Sequence, residues 1–467
     1  MRQFCIMEQP DLLNKIVNLS KRRGFIFPSS EIYGGMANTY DFGPYGTTLK
    51  ENIRQLWWKQ FISGREDMFG IDSSIIINPK VWEASGHVAN FGDIMLEDKV
   101  TKKRYRGDHI IEEYFAAKGQ DIKVDGKSAA ELQEIIDKEG IKSVDGNEFL
   151  PARKFNQLFE TEVGIIEGGK NKAYLRGEIA QGLFINFKNI LDSLHPKLPF
   201  GIGQAGKAFR NEITKGQFTH RTLEFDLMEF EYFFDPEVQD WNELFETWKT
   251  EMWKFSQTIG LDLEKLRWRP HESFELSHYS KRTEDLEYKY PQGFKEMFGC
   301  AYRTDFDLSN HEKATGQDLK YTYPDGKKLV PHVIEPTFGL SRLVTIILLD
   351  AYKEEEVKGE IRTVLKFSPK IAPVKVAVLP LVKKEGLSEI AETLYKELKE
   401  NYAADFDISG SIGKRYRRQD EIGTPLCVTV DFQTKEDNTV TVRYRDSMQQ
   451  ERIALSDVAA KVAELLK

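Results

Sequence analysis

Charged side chains crowd a stretch that otherwise reads as a β-hairpin, Leu198–Phe234, among them Arg210, Glu212, Arg221, Glu224, Asp226, Glu229 and Glu231. A sheet that only filled a core would not carry them, because a buried charge is costly unless it is paired or ligated. Arginines on rigid strands can clamp a polyanion bidentately and stay charged at any physiological pH. Carboxylates beside them can bind a metal ion that bridges phosphates, or an ammonium group. An aromatic residue such as Phe225 can stack on a planar base. The set suits a nucleotide together with an amino-bearing substrate. Similar charges interrupt Ala173–Phe187 (Arg176, Glu178, with Gln181) and Phe294–Leu308 (Glu296, Arg303, Asp305, Asp307), and Arg342 stands alone near the start of an apolar helix.

The elements that must hold these residues follow from periodicity. In the hairpin, two apolar runs flank a polar loop, Thr214–Thr219. The second run alternates, with Leu223, Phe225 and Leu227 on one face and Glu224, Asp226 and Met228 on the other. Two phosphate-loop patterns overlap the first run, and both fail. Gly201, Gly203 and Gly206 fit G-x-G-x-x-G, and Gly201–Lys207 fits G-x-x-x-x-G-K but is followed by Ala208 instead of Ser or Thr. Both loops need a helix next, whose N-terminal amides meet the phosphate; AFRNEI reads as strand. The glycines instead allow close approach of a ligand or a neighbouring strand. His332–Asp350 reads as a strand, a Pro-Gly break and a buried helix.

Elsewhere, helices are expected at Asp11–Arg23, from a Thr47 or Thr48 cap to Phe61, and at Trp241–Ile259. Asp72–Ile77 and Arg267–Arg269 read as strands. Lys99–Arg106 is strongly basic and reads as a solvated loop. Residues 108–163 look like an inserted module, with a helix at Ala129–Lys138 bracketed by Gly126 and Gly140. Pro369–Pro373 reads as a linker. After it come VKVAVLPL (strand), Leu387–Asn401 (helix), DFDIS (strand), Gly413–Ile422 (basic helix), LCVTVDF and NTVTVRYRD (strands) and Ile453–Leu466 (helix), a small α/β domain. The expected division is 1–368 and 369–467.

The 467 residues allow several domains. With 66 basic and 74 acidic residues the net charge is −8, so a nucleic-acid partner would need a local basic patch. Cys5, Cys300 and Cys427 are scattered and lack C-x-x-C spacing, which argues against a disulfide framework or a cysteine zinc site and fits a reducing cytoplasm. His271 and His278 belong to no H-E-x-x-H pair and read as core or surface residues. No apolar run approaches the ~18 residues of a membrane helix, and MRQFCIMEQPDLL lacks a signal peptide's apolar core.

Seven stretches, in order, carry a resemblance. AFRNE followed by HRTLEFDLME is similar to the second signature of the class II aminoacyl-tRNA synthetases, EPTFGLSRL to the third, and INPKVWEASGH to the region of the first. IYGGMANTYDFGPYG, YLRGEIAQG, YRTDFDL and SIGKRYRRQDEIGTP resemble the homodimeric glycyl branch of that class, and the resemblance covers nearly the whole length. It implies an α+β catalytic domain built on an antiparallel sheet (the class II synthetase fold), with an inserted small module and a C-terminal α/β anticodon-binding domain. It implies ATP and Mg²⁺, with no zinc expected, and as partners glycine, tRNA(Gly) and a second copy of the chain, with no membrane.

Carried over residue by residue, the resemblance gives Arg210 the α-phosphate and the reacting carboxylate, and gives Arg221 and Arg342 the β- and γ-phosphates. Phe225 would stack on adenine with Arg342 on the other face, Glu212 would read the adenine amino group, and Glu296 would help bind Mg²⁺. Asn211, His220, Thr222, Leu223, Glu224, Met297, Gly339, Leu340 and Ser341 complete the implied ATP site. Glycine's ammonium would sit among Glu178, Glu229 and Glu335, with Arg303 and Thr337 close by, and with Arg106, Phe225, Asp226, Leu227, Met228, Pro336, Phe338 and Gly339 in the same pocket. Lys414, Arg415, Arg417 and Arg418, around Tyr416, would meet tRNA phosphates, with stacking.

The chain departs from the family pattern at Gly177 and Ile179 (usually Pro and Thr), Leu223 (Arg), His220 (an aromatic), Thr337 (Ser), Ser341 (often Asp), and in GFKEMFG. A non-catalytic nucleic-acid-binding relative would be expected to lose the ATP-gripping arginines, and Arg210, Arg221 and Arg342 are all present. A synthetase for another small amino acid is a more distant alternative.

Overall fold

A computed structural model describes residues 10–120, 122, 124, 127–164, 171–212, 218–384 and 386–466. Cys5, Gly126 and the part of the expected hairpin loop at 213–217 lie outside the described residues, as do residues 1–9 at the N-terminus.

The charged hairpin forms, with strands Phe200–Phe209 and Glu224–Phe234 paired antiparallel from Glu224 opposite Phe209 to Phe233 opposite Phe200. Its faces divide as the alternation predicts, and the face that begins with Glu224 and Asp226 is the one that meets the main core. Met228, Phe230, Tyr232 and Phe234 enter the main core, and Phe225, Leu227 and Glu229 line a cleft on the other side. From Leu227 onward every residue of the strand is buried. The sheet is thus covered on both sides, and a five-residue window at its edge does not reveal which face is inner. The glycines serve packing: a Cβ at Gly201 would collide with Met68, one at Gly203 with Ile62 and one at Gly206 with the Arg176 guanidinium.

The hairpin is part of a seven-stranded sheet in the order Leu266–Pro270, Arg282–Tyr290, Gly293–Thr304, His332–Gly339, Glu224–Phe234, Phe200–Phe209, Met68–Gly70. All neighbours are antiparallel except the last pair. Helices Pro44–Trp58, Trp241–Thr258 and Leu340–Ala351 cover one face. In Trp241–Thr258 the Asp240 side chain accepts from the Asn242 amide, and Phe245, Trp248, Met252 and Phe255 recur at helical spacing toward the sheet. Burying each such side chain stabilises the fold by about 1.5–3 kcal/mol. The cleft lies on the opposite face, beside the buried helix Ala180–Phe184.

Pro336 does not break the pattern. It sits inside the central strand His332–Gly339, opposite Cys300 on one side. On the other side the pairing skips from Glu229–Thr337 to Tyr232–Ile334, because proline has no N–H to give the ladder. Four other expectations fail locally. Asp72–Ile77 is extended chain with a single bridge, Ile76 to Leu175, and the sheet's edge strand is Met68–Gly70. Helix Pro44–Trp58 starts before the threonines, because Pro44 fits the first helical turn; Thr48 donates to the Pro44 carbonyl instead of capping. Phe294–Leu308 ends as strand at Thr304, and Phe306–Thr315 is helix. Ile453 belongs to strand Gln450–Ala454, and the closing helix is Val458–Leu465.

Strands Gly92–Glu97, Arg104–Arg106 and Arg153–Asn156 form a small sheet under helices Gly107–Ala117 and Ala129–Glu139, around Leu96, Ile111, Leu132 and Ile136. The Ala129 helix carries a capping box between Ser128 and Glu131 and ends at Gly140 with φ 63°. The basic Lys99–Arg106 segment is a hairpin turn whose amides at Val100 and Thr101 donate to buried Asp98, each at 2.8 Å.

The C-terminal sheet has the order Ala404–Phe406, Val376–Pro380, Leu426–Val430, Thr439–Tyr444, Gln450–Ala454; the first three strands run parallel. It joins the rest of the chain through a buried polar knot. Arg362, on strand Glu360–Leu365, donates to Asp420 at 2.8 Å and to the Arg445 carbonyl at 2.5 Å, and Arg443 donates to Asp420 at 2.9 Å.

Candidate active site

The cleft has two chemically distinct ends, both set by neighbouring strands. At the basic end stand Arg210, where strand Phe200–Phe209 finishes, Arg221 just before the partner strand begins, and Arg342 in the first turn of Leu340–Ala351. Arg210 donates through Nε to the Gly177 carbonyl at 2.9 Å. Its guanidinium carbon lies 5.0 Å from the centroid of the Phe91 ring and 5.4 Å from that of Phe225. Arg221 lies 3.6 Å from Glu212. Arg342 meets the Glu296 carboxylate at 2.7 Å and donates to the His220 carbonyl at 3.3 Å. Although burial opposes its ionisation, the Arg342, Arg221 and Arg210 guanidiniums hold Glu296 below the usual carboxylate range. Burial, then Arg342, Lys295 and Arg221, keep His220 well below its ordinary value and therefore neutral. Its Nδ1 is 3.1 Å from the Tyr290 hydroxyl.

Around this end, Thr222 donates to the Glu224 carbonyl at 2.7 Å, and the Leu223 amide donates to the Asn38 carbonyl at 3.0 Å. The Asn211 amide donates to Gln157 at 2.8 Å. Ser341 accepts from the Asp226 amide at 2.9 Å, while Lys50 pairs with the Asp226 carboxylate at 2.9 Å. Glu224 is ion-paired with Lys207. Gly339 lines the cleft.

At the acidic end, Glu178, Glu229 and Glu335 line the cleft. Glu178 is 3.1 Å from His87 and accepts from Gln181 at 3.1 Å. Burial disfavours its charge, but His87, Arg303 and Gln181 prevail and hold it well below the usual range. Thr337 donates to Glu229 at 2.6 Å. Glu335 accepts from Arg303 at 2.8 Å, and Arg303 forks onto Asp307 at 2.8 and 2.9 Å with the Tyr279 ring 3.7 Å from its guanidinium carbon. Burial pushes Glu229 and Glu335 upward; for Glu229 the Glu335 and Glu178 charges add to this, and for Glu335 the Arg303 charge opposes it. An end this acidic suits a compact cation with several N–H donors.

Several carried-over residues sit elsewhere. Met228, Met297, Phe338 and Leu340 are in the main core, and Pro336 is mid-strand. Arg106 is held by Asp108 and by Asp93 at 3.4 Å in the small module. On helix Ile412–Ile422, Arg415 does not present its charge. It is buried and donates to the carbonyls of Pro380, Leu381 and Asp407, because the turn preceding the helix packs over it. Tyr416 is likewise spent, bonded to Thr429 at 2.6 Å and covered by Arg443 at 4.8 Å. Arg418 pairs with Asp407, Arg417 is half-buried, and Lys414 is exposed.

Sequence reasoning missed Phe91 and Tyr279 entirely, and gave no role to His87, Glu231 or Asp307. His87 and Asp307 lay in stretches already singled out, WEASGH and YRTDFDL. The aromatic shelf under Arg210 has no local signal, because Phe91 arrives from a distant strand entry. His271 and His278 engage Asp285 at 2.8 Å and the Ser85 carbonyl at 3.1 Å. Among the described residues, the His, Cys, Asp and Glu side chains grouped closely enough for a metal are Glu229, Glu231 and Glu335.

Residues 375–465 match the family described as the anticodon binding domain. The chain is 49% identical over 459 residues to a glycine–tRNA ligase of Caldanaerobacter subterraneus subsp. tengcongensis, covering 97% of this chain and 98% of that one. It is 48% identical over 461 residues to a glycine–tRNA ligase of Macrococcus caseolyticus, covering 97% and 99% of the two chains. The structure of a prolyl-tRNA synthetase from Cryptosporidium parvum superposes with a TM-score of 0.64 at 15% identity, covering 99% of this chain and 79% of that one, which shows the fold. The fold is thus that of a class II synthetase, and the chain belongs to the glycine–tRNA ligase family.

Proposed function

We propose that this chain attaches glycine to tRNA(Gly) in two steps inside the described cleft. Glycine's carboxylate, already ionised, attacks the α-phosphorus of ATP in line; glycyl-adenylate forms and pyrophosphate leaves. The 3′-terminal ribose hydroxyl of tRNA then attacks the acyl carbon, and AMP leaves. The first step needs positioning and charge neutralisation rather than a general base. One observation carries the assignment of residues: a trio of arginines and a trio of glutamates line one cleft, with Phe225 beside Arg210.

In this reading Arg210 grips the α-phosphate and the reacting carboxylate, and Arg221 and Arg342 the outer phosphates. Phe225 supports the adenine. Glu296 is nearly half exposed at the mouth and ionised, a fit oxygen ligand for the Mg²⁺ that accompanies ATP. Glu178, Glu229 and Glu335 receive the glycine ammonium. The Thr337 hydroxyl is spent on Glu229, so its methyl narrows the space beside the substrate's α-carbon. Excluding alanine by bulk suffices, since no smaller amino acid competes. Residues 1–368 form the catalytic part and 369–467 the anticodon-binding part, with Lys414 and Arg417 offered to the tRNA. No helix among the described residues is long and apolar enough to cross a membrane. A cytoplasmic homodimer fits the family resemblance; light scattering at twice the chain mass tests the dimer.

Glycine-dependent ATP–pyrophosphate exchange, run beside alanine and serine, tests the reading. Exchange with glycine above both others is expected. Exchange favouring alanine or serine would overturn the amino-acid assignment, and none with any of them would favour a non-catalytic binding role.

A further inference from the structure

Below the glutamate trio lies a fourth acid that the two-step reaction does not call for. The pairing gap at Pro336 leaves Glu231 across from Glu335, between the Glu229–Thr337 and Tyr232–Ile334 pairs. Carboxylate oxygens of Glu229, Glu231 and Glu335 lie within 4.8 Å of one another. Glu231 is fully buried, and neither of its oxygens has a hydrogen-bond partner; Glu229 Oε2 has none either.

The groups facing this cluster come from every adjoining element. Strand Gly293–Thr304 supplies Arg303, helix Phe306–Thr315 supplies Asp307, and the segment before Ala180–Phe184 supplies Glu178 with His87 beside it. Strand Phe200–Phe209 puts apolar Ile202 opposite Glu231, and Tyr279 covers Arg303. Arg176, whose guanidinium is bonded to the Lys207 and Ser73 carbonyls, acts on Glu229 through its charge alone. Arg303 is already divided between Glu335 and Asp307. Among the described residues no cation bonds to Glu231, although the Arg303 charge reaches it, and carboxylates this close in a buried site do not all ionise.

We propose that before glycine binds, a proton is held among Glu231, Glu229 and Glu335, chiefly on Glu231, and that the glycine ammonium enters in exchange for it. This rests on the assignment of the acidic end to glycine. The O–H bond of the carboxylic acid breaks, its electron pair stays on the oxygen, and the proton leaves through the open cleft to water. The ammonium keeps its own protons. One positive charge enters as one leaves, so binding leaves the net charge of the buried site unchanged. Protons therefore compete with glycine. Burial and the Glu335 charge both push Glu231 upward, in keeping with this.

Isothermal titration of the full chain with glycine, at one pH in phosphate and in Tris, reads the exchange directly. About one proton released per glycine is expected. Affinity should fall as the pH is lowered toward about 6, where free glycine keeps its ammonium, by at most about tenfold per pH unit. Glu231→Gln should release none and bind with little pH dependence, since Glu335 keeps Arg303 and Glu229 keeps Thr337. Equal binding heats in both buffers for the unaltered chain would overturn the proposal, whether or not the variant folds. So would proton release undiminished in a folded Glu231→Gln. Glu229→Gln leaving glycine affinity unchanged would instead refute the glycine assignment itself.

Discussion

Replacing Phe91 by leucine removes one of two rings that face the Arg210 guanidinium while leaving its hydrogen bond to Gly177 in place. A guanidinium over an aromatic ring gains about 0.5–1 kcal/mol when exposed and about 2 kcal/mol when desolvated. Arg210 is half-buried, 5.0 Å from the Phe91 ring and 5.4 Å from Phe225. The ring also fixes the height of the segment: a Cβ on Gly177 would stand 2.8 Å from Phe91 and 2.9 Å from Leu158. If Phe91 acts by holding Arg210 for the α-phosphate, Phe91→Leu should lower kcat/KM for ATP in pyrophosphate exchange by about 2- to 30-fold. Arg210→Ala alone should lower exchange about 10²- to 10³-fold, as expected for losing one donor to a developing anion, while tRNA binding survives. The decisive measurement is the double variant. Two residues acting as a unit are non-additive, so Phe91→Leu should cost almost nothing further once Arg210 is alanine. An undiminished effect in that background would refute the claim that Phe91 works through Arg210.

Three further outcomes are expected. Thr337→Ala strips Glu229 of its hydroxyl donor and should raise KM for glycine by about 10- to 150-fold, from ~1.5–3 kcal/mol for a hydrogen bond to a charged group, with Thr337→Ser within about twofold of the unaltered chain. Arg362→Met leaves Asp420 with less compensation in a buried site and should cost ~3–5 kcal/mol in denaturant unfolding; a loss below ~1 kcal/mol would show the knot to be dispensable. The hydrogen bond to Asp285 holds His271 above the ordinary imidazole value. The folded state therefore keeps a proton that the unfolded state has lost, and this stabilisation is complete below about pH 6.5 and disappears as pH rises through the raised value. Asp285→Asn should flatten that part of the Tm-versus-pH curve, and an unchanged curve would reject the pairing.

How much of this was legible in the sequence depended on whether the signal was local. The helix Trp241–Thr258, the capped helix at Ala129 and the strand-to-helix run at His332–Ala351 were all visible as periodicity. Charges inside strands marked the cleft, because burial makes such residues expensive without a partner or ligand. Asp72–Ile77 failed because β-branched residues satisfy strand propensity whether or not a neighbouring strand exists. The division of the hairpin's faces was legible, but Leu227–Phe234 is buried on both sides, so alternation did not say which face meets the main core. Arg415 shows the limit for a basic helix: a charge pattern does not say which arginine turns inward to satisfy carbonyls.

The buried knot of Arg362, Asp420, Arg443 and the Arg445 carbonyl bears on how this chain can be recombined. Pro369–Pro373, expected as a linker, instead packs Ile371 and Ala372 into the main core, and a chimera joined there would take Asp420, Arg443 and Arg445 from one parent and Arg362 from the other. A donor half lacking the matching partner would bury a guanidinium or a carboxylate alone. A graft of the C-terminal unit should therefore begin before Tyr352 and carry the paired strands Tyr352–Val357 and Glu360–Leu365 along, so that Glu355, which also holds Arg362, travels with the rest as one inheritance.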